Sequence, residues 1–178
     1  MGRPMGTYIT LESVFIKENN PEAHEKLIAI LSKHLNQLCP LNNEKPILVV
    51  GLGNSQVTPD SLGPKTVDKI LVTRHLKETV RSVAALSPGV MGVTGIETLE
   101  VIKGIVERIQ PQLVIAIDAL AARKVSRINT TIQICDTGVA PGGGVGNKRS
   151  KLDKESLGVP VIAIGVPTVV DAATLAND

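Results

Sequence analysis

Apolar residues in this chain fall into two rhythms, and the rhythms alternate. Short, mostly apolar runs occur at 45–50 (KPILVV), 82–86 (SVAAL), 112–119 (QLVIAIDA) and 159–167 (VPVIAIGVP), each the length of a strand buried on both faces. Residues 7–16 (TYITLESVFI) and 127–135 (RINTTIQIC) instead alternate apolar with polar, which predicts strands with one face covered. Between the runs the spacing changes to that of helices. Asn20-Pro21-Glu22 supplies an N-cap, a proline at the first helical position and an acid in the first turn. Ala23, Leu27, Ile30, Leu31, Leu35 and Leu38 then recur at helical spacing, predicting a helix over 21–38. Further helices are expected over 64–76, from a Thr94/Glu97 capping box to Ile109, and in the residues after Pro167. Strands alternating with helices predict an α/β fold: a doubly wound, mostly parallel sheet with helices on both faces, forming one domain over 1–178.

Composition sharpens this picture. Of 178 residues 43% are hydrophobic but only 1% aromatic, so the core must be built from Val, Ile, Leu and Ala. No apolar run reaches the ~18 residues that span a bilayer, and the N-terminus lacks a signal-peptide pattern, so a soluble, cytoplasmic protein without a membrane partner is expected. The net charge of +2, with scattered Lys and Arg and almost no aromatic residue to stack on a base, argues against direct nucleic-acid binding. Cys39 and Cys135 stand far apart in no ligand spacing, which predicts two free thiols and no metal site.

In doubly wound sheets the chemistry gathers beyond the carboxyl ends of the strands. Three such places carry unusual residues: GLGNSQVTPDSLGP (51–64), DALAAR (118–123) and CDTGVAPGGGVGNKR (135–149). The first is not a dinucleotide fingerprint, because Gln56 stands where the third glycine belongs. The last is not a phosphate loop, because Asn147 separates Gly146 from Lys148 and Arg149 replaces the hydroxyl residue. GxSxG and HExxH are absent, and His24 and His34 fall in the first helix as expected surface residues. Acids remain. Asp60 follows a buried strand and Asp118 closes one, where Asp60 could cap the next helix and Asp118 the following turn or helix. Together they could instead form a pair that shares a proton, polarises a carbonyl and activates water. Glu97 reads as a capping acid. Arg123, Lys148 and Arg149 are cations beside these loops, and Gly142, Gly144 and Gly146 with Asn147 could present backbone N–H groups to a substrate strand or an oxyanion.

The segments VVGLGNSQVTPDSLGPKTVDKILVTRHL, SPGVMGVTGIET, AIDALAAR, RINTTIQICDTGVAPGGGVGNKR and GVPVIAIGVPTVVDA resemble, in order and spacing, the bacterial spore germination proteases, from about Tyr8 to the C-terminus. Gly143 departs from the serine expected there. The resemblance implies an endopeptidase that degrades small acid-soluble spore proteins during germination in the spore core. It implies a zymogen, a homotetramer and an atypical aspartic mechanism without a cofactor, with the two aspartates at Asp60 and Asp118. It also implies a chain that continues at both ends, and a fold similar to the hydrogenase maturation endopeptidases. The Gly51-to-Asp60 segment looks like their GxGN-to-acid segment. Those enzymes recognise nickel with acids and a histidine, which makes a metal-recognising peptidase or metal-binding module the alternative, with His75 as its first histidine to consider.

Overall fold

The computed structural model describes residues 4–18, 20–39, 45–76, 81–142 and 150–170. Among them are six strands: β1 (Tyr8–Glu12), β2 (Ile47–Gly51), β3 (Val83–Leu86), β4 (Leu113–Ala122), β5 (Thr131–Cys135) and β6 (Val161–Val170). They form one sheet in the order β1-β5-β6-β4-β2-β3. β3, β2, β4 and β6 run parallel, while β5 and β1 add antiparallel at one edge. Helices α1 (Pro21–Leu38), α2 (Leu62–Val67), α3 (Met91–Thr94), α4 (Thr98–Ile109) and α5 (Lys154–Leu157) complete the described elements.

The parallel strands are apolar on both faces because both are covered. Leu48, Val50, Val114, Ala116 and Val161 pack with Ile102 and Val106 of α4 and Leu157 of α5. On the other face Leu31, Leu35 and Leu38 of α1 meet Leu113, Ile134 and Ile162, and Leu62 and Val67 of α2 meet Ile47, Val49 and Ile117. The chain winds outward from β2 to β3, then returns past β2 to β4. The order therefore reverses between β2 and β4, the switch point at which such sheets open a crevice.

Several expected boundaries move. The strand expected over 7–16 ends at Glu12 and gives way to a 3₁₀ turn, Val14–Ile16. The helix expected over 64–76 runs only from Leu62 to Val67. Its continuation is lost to β3: the N–H groups of Thr73 and Arg74 both donate to the Val83 carbonyl at 3.0 Å, and the Thr73 hydroxyl accepts from the Val83 N–H at 3.0 Å. The capping box belongs to Glu97 and Glu100, not Thr94, which instead ends α3 before left-handed Gly95. The strand expected over 127–135 begins only at Thr131, after a 3₁₀ turn, Val125–Arg127. After Pro167 the chain stays in β6 through Val170 rather than entering a helix, and 171–178 lie outside the described residues. His24 and His34 are half-buried rather than solvated, and the His24 Nε2 lies 3.0 Å from the Phe15 carbonyl oxygen. Cys39 and Cys135 are free thiols.

Candidate active site

β2 stops at Gly51, but its pairing with β4 continues for one more bond, from the Leu52 N–H to the Ile117 carbonyl at 2.8 Å. From there the chain doubles back. A Cβ on Gly63 would collide with the backbone oxygen atoms of Leu52 and Ile117, so only glycine lets the first turn of α2 press against these strand ends. Gly53 has φ +114, and a Cβ there would run into the Asp60 carbonyl.

These contacts hold Asp60 in place. It ends the 3₁₀ turn Thr58–Asp60, its N–H donates to the Val57 carbonyl at 2.9 Å, and its Oδ2 accepts the Asn54 N–H at 2.7 Å. Asp60 therefore does not cap α2; the cap position is Ser61, which makes no side-chain cap bond. A second anchor comes from β6. The β4–β6 register slips between Leu120 and Ala121, so that Pro167 pairs with Leu120 and Val169 with Ala121, leaving Thr168 as the extra residue of a bulge. The freed Thr168 hydroxyl donates to the Pro59 carbonyl at 2.6 Å.

Asp118 was expected at the end of a strand, as a possible helix cap. It lies inside β4, which runs on to Ala122 with no helix after it, and it pairs with Gly165 of β6. It is nevertheless one residue beyond the last β2 pairing partner, Ile117, so its side chain emerges where the sheet opens. Asp118 is 6% exposed. Burial pushes its carboxyl up to about 7, with a further upward push from the nearby Asp60 carboxylate and a small opposing pull from the Ala119 N–H. Both aspartates line one cleft of about 470 Å³. Arg123 and Gly142 border the same cleft, Gly142 with φ +69. The other predicted substrate residues, Gly144, Gly146, Asn147, Lys148 and Arg149, lie outside the described residues. Among the described residues no three His, Cys, Asp or Glu side chains group as metal ligands, and His75 is exposed on a turn.

The germination protease family model matches residues 1–178, the whole chain. The chain belongs to the germination protease family. It is 54% identical over 186 residues to the germination protease of Caldanaerobacter subterraneus subsp. tengcongensis, covering 100% of this chain and 57% of the relative. It is 57% identical to that of Bacillus pumilus, over 97% of this chain and 50% of the relative, and 54% identical to that of Bacillus subtilis, over 99% and 51%. The chain thus spans about half the length of the curated relatives it matches. Among solved structures, the [NiFe] hydrogenase maturation protease HycI of Thermococcus kodakarensis overlaps 73% of this chain and 83% of its own, with a TM-score of 0.47 and 20% identity.

Among the cleft residues of this family member that sequence reasoning missed are the polar Thr98, Arg127, Gln133 and Thr168. Gln133 had a visible signal, as the polar residue between Ile132 and Ile134 in a strand with one face covered. Thr168 had none, because a bulge in β6 is set by its pairing with β4.

Proposed function

We propose that this chain carries the catalytic centre of an endopeptidase that begins the breakdown of small acid-soluble spore proteins during germination, with Asp60 and Asp118 activating the water. One observation supports this most: two carboxyls from separate segments line a single cleft, and the buried one is held near a pKa of 7, so that it keeps its proton close to neutrality. In this reading Asp60, whose Oδ2 is occupied by the Asn54 N–H, takes a proton from water through its other oxygen. The water oxygen attacks the peptide carbonyl, and Asp118 gives its proton to the departing amine as the C–N bond breaks. Family membership supports the germination role. On the same reading the full-length protein is a zymogen-derived homotetramer of the spore core that uses no cofactor.

The test is cleavage of a small acid-soluble spore protein by the full-length protein, with and without a chelator. Asp60→Asn and Asp118→Asn should each lower turnover by ~10²-fold or more while leaving the fold intact, since an amide keeps the volume but not the proton. Near-normal turnover in either variant removes that residue from the mechanism. Activity lost to the chelator and restored by one particular metal would favour a metal-recognising peptidase instead.

A further inference from the structure

Among the described residues five hydroxyl side chains are buried, and four of them donate to a backbone carbonyl. Ser61 donates to Thr58, Thr73 to Arg81, Thr130 to Ser126 and Thr131 to Arg127. The fifth, Thr98, is only 4% exposed, and its hydroxyl has no hydrogen-bond partner among the described residues. Yet no buried side-chain oxygen there is sealed off without a partner. The Thr98 hydroxyl is therefore reached from outside, and the opening it meets is the cleft, whose wall includes Thr98.

The packing of α4 explains this placement. The helix runs antiparallel to the strands it covers, since its end at Ile109 leads through Gln112, whose N–H donates to the Pro46 carbonyl, into the start of β4. Its buried residues Val106, Ile102 and Thr98 recur every fourth position along the face laid on the sheet. Val114, Ala116 and Asp118 make the matching row along β4, and Val114 and Ala116 share a core cluster with Val106 and Ile102. Both rows are apolar in the core and turn polar at the same end. Thr98 thus faces the cleft from the helix layer and Asp118 from the sheet layer. The helix adds donors of its own. The N–H groups of Glu100 and Val101 donate back to the Glu97 carbonyl, whereas those of Thr98 and Leu99, at the start of α4, have no acceptor among the described residues. Glu97 and Glu100 already place carboxylates at this helix end, in the capping box, so it does not lack a permanent anion. It suits an oxygen that becomes negative only during the reaction.

The chemistry proposed above produces such an oxygen. When water attacks, the peptide carbonyl oxygen becomes an oxyanion, while Asp60 and Asp118 are occupied with protons. Of the other side-chain donors on the cleft, Arg123 is exposed, Arg127 and Gln133 are half-buried, and Thr168 is committed to Pro59. A donor fixed away from water stabilises developing charge best. We propose that the Thr98 hydroxyl, with the first N–H groups of α4, donates a hydrogen bond to this oxyanion. The proposal rests on the aspartate-pair reading for the reaction. The test compares, in the full-length protein, Thr98→Val, which keeps the shape without the hydroxyl, and Thr98→Ser, which keeps the hydroxyl without the methyl. Thr98→Val should lower kcat on the order of 10²-fold with KM nearly unchanged, as loss of one such donor typically does. Its thermal midpoint should hold, because no hydrogen bond within the fold is lost. Thr98→Ser should keep most of kcat even if it melts earlier. An unchanged kcat in Thr98→Val, a loss confined to KM, or a Ser variant as slow as the Val variant overturns the proposal, the last meaning that the methyl's packing matters and the hydroxyl does not. Failure of the aspartate pair would show separately, as normal turnover in Asp60→Asn or Asp118→Asn, and would leave the comparison of Val with Ser readable.

Discussion

At the scale of the residue, the decisive balance is that between burial and charge at Asp118. Its carboxyl is raised from 3.8 to about 7, so between those values the folded protein holds a proton that the unfolded chain has released. Stability from this group is therefore full below pH 3.8, falls as pH rises toward 7, and is flat above. At about 1.4 kcal/mol per pH unit the loss is on the order of 4 kcal/mol. Asp118→Asn removes the titration, so it should raise the thermal midpoint relative to the parent above pH 7, and the two should converge below pH 4. Melting curves across that range check the expectation; a constant gap would mean the amide changes packing rather than charge. Turnover responds oppositely to the substitution. If Asp118 acts as the proton donor, kcat/KM should fall as pH rises through about 7, and a profile without that limb would take the donor role from it.

At the scale of the element, the hydrophobic pattern made the existence and type of the main strands and of α1 and α4 legible but not their lengths, and it missed α3, α5 and the strand that replaces the helix expected after Pro167. The wholly apolar runs at 47–50 and 161–166 became β2 and much of β6 because only a two-sided burial accommodates them. Where the pattern failed, a long-range partner decided. Residues 71–76 carry no local signal that β3 will take the Thr73 and Arg74 N–H groups, and DALAA reads as a strand end until β6 pairs with it through Ala122. The two aspartates were legible as acids following apolar runs, yet their shared cleft depends on glycines and a bulge whose roles appear only in three dimensions. Gly53→Ala tests the first of these. The added methyl must displace the Asp60 backbone and strain a φ of +114, so stability should fall by about 1 kcal/mol or more and turnover should drop even in the folded fraction. Thr168→Val tests the second. It keeps the shape but leaves the Pro59 carbonyl without its hydroxyl partner, at a cost of about 1 kcal/mol. Turnover should fall with little change in KM, measured by steady-state kinetics; an unchanged kcat would mean the turn holds Asp60 without β6.

At the scale of the whole molecule, the winding order puts these elements to use. Reversal between β2 and β4 leaves no crossover helix over that point, so the loop after β2 can bring Asp60 to the cleft that Asp118 enters from β4. The same opening collects charge. Arg127 and Arg123 both border the cleft, and among the described residues neither forms an ion pair, while the chain as a whole carries only +2. Two cations that form no ion pair among the described residues, beside a buried acid, should make the cleft attract anionic groups on a substrate, although the protein overall is nearly neutral. Arg123 is exposed and Arg127 half-buried, so salt should screen the first more strongly. Arg123→Ala should raise KM for a substrate bearing carboxylates severalfold at low ionic strength and hardly at all at high. Arg127→Ala should keep a measurable effect in both. Steady-state kinetics at two salt concentrations, with a charge-neutral peptide as control, separate the cases. If the neutral peptide suffers equally, the arginines support the cleft wall mechanically, and the attraction argued here from their unpaired charge fails.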